Sequence, residues 1–195
     1  MNDTKEYIID QAFELFLTKS YEAVSISEIS KAIGFTKGAL YHHFINKEEL
    51  YKAVIDKYLE FTETEGDLER ISLYEFNEHI ISNVRKTMNK MFNKNSKFVP
   101  INYISLIADA FKHYPGFAAT KEKLFNSEID KTKKVLDNCI KRGEIRNDIN
   151  TSAIATTYFS ITIGLAGNML QNFSIEESID SLKKQLNELV KLLKI

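Results

Sequence analysis

"VSISEISKAIGFTKGALYHHFINKEEL", residues 24–50, holds three helix starts in succession. Ser25 can cap a helix, Glu28 stands three residues on, and Val24 and Ile29 have the spacing of a hydrophobic staple. Thr36 repeats the pattern between Phe35 and Leu40. Asn46 repeats it again, with Glu49 three residues on and Ile45 and Leu50 as the staple. The caps are 11 and 10 residues apart, so the helices between them are short. Gly34 suits the left-handed residue that closes a helix. Upstream, Ile9, Ala12, Phe13 and Phe16 mark the buried stripe of a longer helix over about 3–19. A longer helix, a short helix, a tight turn at Gly34-Phe35 and a second short helix make a helix-turn-helix. The second short helix of that motif can enter the DNA major groove.

The second short helix has a readable outer face. With Leu40 facing the core, Phe44 lies about 40° away, Gly38 about 160° and His42 about 200°. Lys37 projects from the first turn, beside free backbone N–H groups. Gly38 costs about 1 kcal/mol relative to alanine in a helix interior. One reading is a tolerated exposed glycine among solvated polar residues. The other is close approach by a second molecule, which a missing side chain permits. Duplex DNA fits: Lys37 can hydrogen-bond a guanine edge or a phosphate, and Tyr41 and His43 can donate to phosphates. Adjacent histidines diverge by about 100° on a helix, so His42 and His43 do not form a metal-ligand pair.

Composition narrows the class. The chain has 195 residues, 44% apolar and 27% charged, with seven glycines and two prolines. That is ordinary for a globular protein of one or two domains, and the scarcity of breakers favours helices. The lone Cys139 excludes an internal disulfide and fits a reducing cytoplasm. Residue 139 reads as a small buried apolar group rather than a nucleophile. The N-terminus shows no signal-type apolar core, so a cytoplasmic location is expected. Net charge is −1, with five lysines against eight acids over 1–50. Nucleic-acid binding must therefore come from a local patch. Residues 31–47 supply one, with three lysines, two histidines and no acid.

"AFELFL" (12–17), the stretch 24–44 and "NKEEL" (46–50) together resemble the TetR family of transcriptional regulators. Gly34, Gly38, Leu40, Tyr41, His43, Phe44 and Lys47 carry the likeness, which is close only over the N-terminal quarter. It implies an all-α fold: a helix-turn-helix domain over 1–46, then a helical effector-binding and dimerisation domain over 47–195. It implies that Thr36, Lys37 and Gly38 approach bases. Tyr41 and His43, with His42 as a possible neighbour, match backbone contacts, and Ser25 and Lys47 match phosphate clamps. Ser30 departs from the family's usual alanine.

Beyond the motif, helices are expected from Lys47 to about Thr62 and over 72–92, 98–113, 118–142, 151–172 and 174–194. Gly143 serves as a stop and Asn150 as a cap. Residues 149–175 carry no charge. Their many Ser, Thr, Asn and Gln argue against a membrane span and for a helix buried between subunits. Ile175, Ile179, Leu182, Leu186, Leu189 and Leu193 form a seam of coiled-coil spacing. Either it packs within the chain or, with the uncharged helix, it builds a homodimer through about 151–194. The resemblance implies the dimer, which would set two reading helices on a palindromic double-stranded operator.

The middle is rich in aromatic residues, more often core than pocket. The family's effector cavity falls in this region, and Tyr103, Phe111, His113, Tyr158 and Asn168 are its candidates. Sparse charge over 98–118 points to an apolar or aromatic effector. No nucleophile elbow, phosphate loop, metal spacing or carboxylate pair is present, so neither an enzyme nor a cofactor is expected. The expected function is a ligand-responsive DNA-binding regulator, a repressor released by its effector. The alternative is a helical DNA-binding or protein-interaction adaptor without an effector.

Overall fold

The computed structural model describes residues 2–59, 67–92, 100–172 and 174–195. Among them are nine α-helices and no strand. They are α1 (Asn2–Thr18), α2 (Ile26–Ile33), α3 (Lys37–His43), α4 (Lys47–Tyr58), α5 (Leu73–Phe92), α6 (Pro100–His113), α7 (Phe117–Lys141), α8 (Thr151–Asn172) and α9 (Ile175–Leu193). The chain divides into two compact units, Met1–Phe61 with Met91–Ala118, and Thr62–Lys90 with Ala119–Ile195.

The three caps of the first unit act as the spacing predicts. The Ser25 hydroxyl accepts from the Glu28 N–H at 3.1 Å, Thr36 from Ala39 at 3.1 Å, and the Asn46 amide oxygen from Glu49 at 2.8 Å. Gly34 is left-handed at φ 73°, and the next N–H, of Phe35, bonds back to the Ser30 carbonyl at 2.9 Å. With the bond from the Gly34 N–H to the Lys31 carbonyl at 3.3 Å, this closes α2 and turns the chain into α3. Val24, Ile29, Leu40 and Phe44 are buried. The third staple does not form. Ile45 is 80% exposed, with its N–H held by the Glu49 carboxylate at 2.6 Å. Phe44 fills the core position at that turn instead, 1% exposed.

α4 ends at Tyr58, four residues short of the expected Thr62, because Leu59 already leaves helical geometry at ψ 21°; Thr62 itself lies outside the described residues. Phe13 of α1 stacks on Tyr58 of α4 with centroids 3.7 Å apart, and the Tyr58 hydroxyl donates to Asp10 at 2.7 Å. Lys57 pairs with both Glu6 and Asp10. Tyr51 packs edge-on against Phe16 and donates to the Leu106 carbonyl of α6 at 3.2 Å. α1, α4 and α6 thus form the core on which α2 and α3 rest. α6 opens at Pro100, whose missing N–H costs nothing at the first helical position; the expected start at Phe98 lies outside the described residues.

In the second unit Gly143 stops α7 at φ 70°, and Asn150 caps α8 by accepting from Ala153 at 3.1 Å. Ser174 caps α9, accepting from Glu177 at 3.2 Å. Arg142 donates to the Glu69 and Ile71 carbonyls at 2.6 and 2.8 Å, and Glu144 accepts the Leu73 N–H at 2.7 Å. The end of α7 therefore clasps the entry to α5. Ile179, Leu182, Leu186 and Leu193 of the α9 seam are buried within the chain. α8 packs against α9 on one side, with Ala155, Tyr158, Leu165 and Met169 buried. Its other side leaves Thr156, Thr157, Ser160, Ile163, Gly164 and Gly167 exposed. No helix among the described residues is long and apolar enough to cross a membrane.

Candidate nucleic-acid interface

α3 is fixed from below and open above. Leu40 is fully buried, while Thr36, Lys37, Gly38, Ala39, Tyr41 and His42 are exposed. Tyr41 is 51% exposed, although nothing apolar obliges a tyrosine to stand there. His43 is half-buried, and its ring meets that of His42 at 5.9 Å and 76°. The Thr36 oxygen accepts the Ala39 N–H, which leaves the Thr36 hydroxyl proton free to donate outward. Ser25 keeps a free proton in the same way at the start of α2.

Charge reinforces this face. Two of the acids flanking the 31–47 stretch are engaged: Glu28 pairs with Lys19, and Glu49 holds the Ile45 N–H. The Lys19 hydrogen bond, with that cation's charge, lowers the Glu28 carboxyl. Lys47 begins α4. Its ammonium donates to the Tyr21 carbonyl at 2.9 Å and lies 4.0 Å from the centre of the Tyr21 ring. An ammonium has three N–H groups, so two remain for a phosphate. Tyr21 escapes the motif reading because its contacts come from α4 and α6, which sequence spacing does not connect.

The candidate effector residues are shared between the two units. Tyr103, Phe111 and His113 belong to the first unit, and Tyr158 and Asn168 to the second. Tyr103 is 8% exposed, and burial pushes its hydroxyl up to about 12. Phe111 and His113 line an open groove of about 380 Å³ with Tyr21, Glu48 and Tyr114. The His113 ring stacks on Tyr21 at 4.3 Å, and its Nε2 lies 3.6 Å from Glu22. Tyr158 is 1% exposed, and burial drives its hydroxyl well above its ordinary range. The Asn77 side chain of the facing helix α5 stands against that hydroxyl, but neither the hydroxyl nor the Asn77 amide oxygen completes a hydrogen bond among the described residues. The side chain of Asn168 lies outside the described residues.

The family model for bacterial regulatory proteins of the tetR family matches residues 8–54. Over residues 8–54 the chain carries the TetR-family domain. Its TetR-family motif spans most of α1, all of α2 and α3, and the first two turns of α4. The probable HTH-type transcriptional regulator ArpR of Pseudomonas putida is 25% identical over 92% of this chain and 85% of its own. IcaR of Staphylococcus epidermidis, the negative transcriptional regulator of the biofilm operon icaADBC, is 40% identical over 27% of this chain and 28% of that protein. The solved SmeT–triclosan complex superposes with a TM-score of 0.61 at 18% identity, covering 99% of this chain and 92% of SmeT. The relatives that match over most of this chain are transcriptional regulators. The departure at Ser30 is accommodated: Ser30 is 5% exposed, and its hydroxyl donates to the Ser27 carbonyl at 3.0 Å.

Proposed function

We propose that the protein is a ligand-responsive repressor that binds a palindromic operator as a homodimer. The observation that carries this reading is α3 itself. A capped helix locked by Leu40 offers Thr36, Lys37, Gly38, Tyr41 and His42 to solvent without an intervening acid. In this reading Thr36, Lys37 and Gly38 approach base edges, and Ser25, Tyr41, His42, His43 and Lys47 hold the sugar-phosphate backbone. Residues 1–46 read the DNA, and residues 47–195 carry effector binding and dimerisation.

The face of α8 supports the dimer. A Cβ built at Gly164 or Gly167 meets nothing within 4 Å, so packing inside the chain does not require these glycines. Close approach by a second helix would. A shallow groove of about 440 Å³ between α8 and α9, lined by Thr156, Thr157, Ser160, Ile161, Gly164 and Gln185, lies on the same side. The dimer then joins through residues 151–194 and places two α3 helices on two half-sites.

The effector is apolar or aromatic, with Tyr103, Phe111, His113, Tyr158 and Asn168 as its candidate contacts. The unpartnered Tyr158 hydroxyl supports this, because a buried polar group gains most from a ligand that satisfies it. SmeT binds triclosan, a precedent for a chlorinated phenol as the first compound to try. Release follows if the effector binds the DNA-free arrangement more tightly than the bound one. The test is selection of duplexes from a random pool by the purified protein at moderate salt. A palindrome with half-sites one helical turn apart is the expected result; an unenriched pool refutes the function.

A further inference from the structure

Tyr21, in the turn between α1 and α2, is gripped from α4 and α6 at once. Its N–H donates to the Asp109 carboxylate of α6 at 2.8 Å. Its ring lies between His113, stacked at 4.3 Å and 18°, and the edge of Tyr51 at 4.7 Å. Its carbonyl accepts from the Lys47 ammonium, which also rests on its ring face. Asp109 and Lys47 thus hold opposite ends of one residue, and no direct Asp109–Lys47 contact is needed to join them.

We propose that Asp109 and His113 are positioning residues for Lys47, acting through Tyr21, so that α6 sets DNA affinity without itself belonging to the reading motif. This rests on Lys47 as a phosphate contact. The physical reason is preorganisation. A free lysine gives up rotamer freedom when it grips a phosphate. Lys47 is already held by a carbonyl and an aromatic face, with two N–H groups to spare. That hold exists only while the Tyr21 peptide stays in place. The charge-assisted bond from its N–H to Asp109 is the fixed end of the chain, and the His113 stack prevents the ring from tilting away. Asp109 is one of only two charged residues within 98–118. Its charge is spent on the backbone of a turn 88 residues earlier in sequence. A shift of α6 that broke this bond would release Lys47 from its template.

The experiment is an anisotropy titration of the duplex enriched by the wild-type protein, at several salt concentrations. The variants are Lys47→Ala, Asp109→Ala, Asp109→Asn and the double variant Lys47→Ala/Asp109→Ala. Lys47→Ala should reduce the salt slope by about one. Asp109→Ala should lose roughly fivefold to tenfold in affinity with a matching fall in slope, and lose nothing further when Lys47 is already alanine. Asp109→Asn keeps the shape and should lose about two- to fivefold, a guard against misfolding of the alanine variant. Wild-type affinity in Asp109→Asn and Asp109→Ala, or tighter binding, overturns the proposal. So does an equal loss in both Lys47 backgrounds, which would mark a general structural effect. Normal binding by Lys47→Ala refutes the phosphate contact and this proposal with it. A wild-type protein that enriches no duplex refutes the regulatory function itself.

Discussion

A Cβ built on Gly38 meets nothing closer than the Thr36 hydroxyl oxygen, 4.0 Å away. Alanine therefore fits the folded chain, and it should favour α3 by about 1 kcal/mol. Gly38→Ala is expected to melt at the same temperature as wild type or up to about 4 °C higher. Its DNA affinity should nonetheless fall by roughly tenfold or more, since the methyl group occupies space needed at the base edges. Thermal melts paired with a gel-retardation titration would check this. Unchanged affinity would place the DNA elsewhere.

Lys37 and Tyr41 are both exposed, so their substitution should leave stability within about 0.5 kcal/mol. Lys37→Ala is expected to weaken binding by roughly tenfold. If it contacts a guanine, specificity at one position relaxes; if a phosphate, the salt slope drops by about one. Tyr41→Phe removes a single donor and should cost about threefold to tenfold. Normal affinity in both variants would remove α3 from the interface.

Gly164→Arg tests the dimer face. The open space around residue 164 lets a long side chain stand clear of its own subunit. Each chain should keep its helical circular dichroism, while sedimentation shows the dimer weakened by at least about tenfold. Operator binding should fall in parallel, because one half-site alone binds poorly. A Gly164→Arg protein that remains dimeric would move the interface off α8.

Tyr158→Phe removes a buried hydroxyl that has no partner. Leaving such a group unmet costs about 1–3 kcal/mol, so the phenylalanine variant should be as stable as wild type or more so. If Tyr158 anchors the effector, release of DNA by an aromatic compound should need roughly tenfold more of it. Chemical melts and effector titrations together distinguish a pocket residue from a plain core residue.

Cys139 is fully buried, and burial pushes its thiol from 9.0 up to about 12, with Glu144 adding to the shift. The folded state therefore keeps a proton that the unfolded chain releases. In that interval the unfolded state binds fewer protons, so stability falls as pH rises from about 9 toward 12. Tyr103, pushed up to about 12 by burial, acts in the same direction above its ordinary 10.0. Melting temperature should decline across this window. At pH 8 the folded protein should resist alkylation that proceeds readily in denaturant.

The helix-turn-helix was legible because its signals are local. A cap, a staple or a left-handed glycine acts within five residues, and Ser25, Gly34, Thr36 and Asn46 each took the predicted part. Ile45 failed for a local reason too, as Phe44 occupied the buried direction one residue earlier. Tyr21 was invisible, since its meaning depends on Asp109, His113 and Lys47 arriving from distant parts of the chain. The α9 seam was read correctly as apolar, but periodicity alone does not say whether neighbouring helices of the same chain cover it. They do, for Ile179, Leu182 and Leu186.

The uncharged side of α8 has a consequence for ionic strength. In the proposed complex, DNA binding through Lys37 and Lys47 would release counterions and weaken steeply as salt rises. In the proposed dimer, two α8 faces without a charged group between residues 149 and 175 would have no counterions to give up. Salt would then act on one association and spare the other. A wash that strips the protein from its duplex would recover it still paired, ready to rebind both half-sites on dilution.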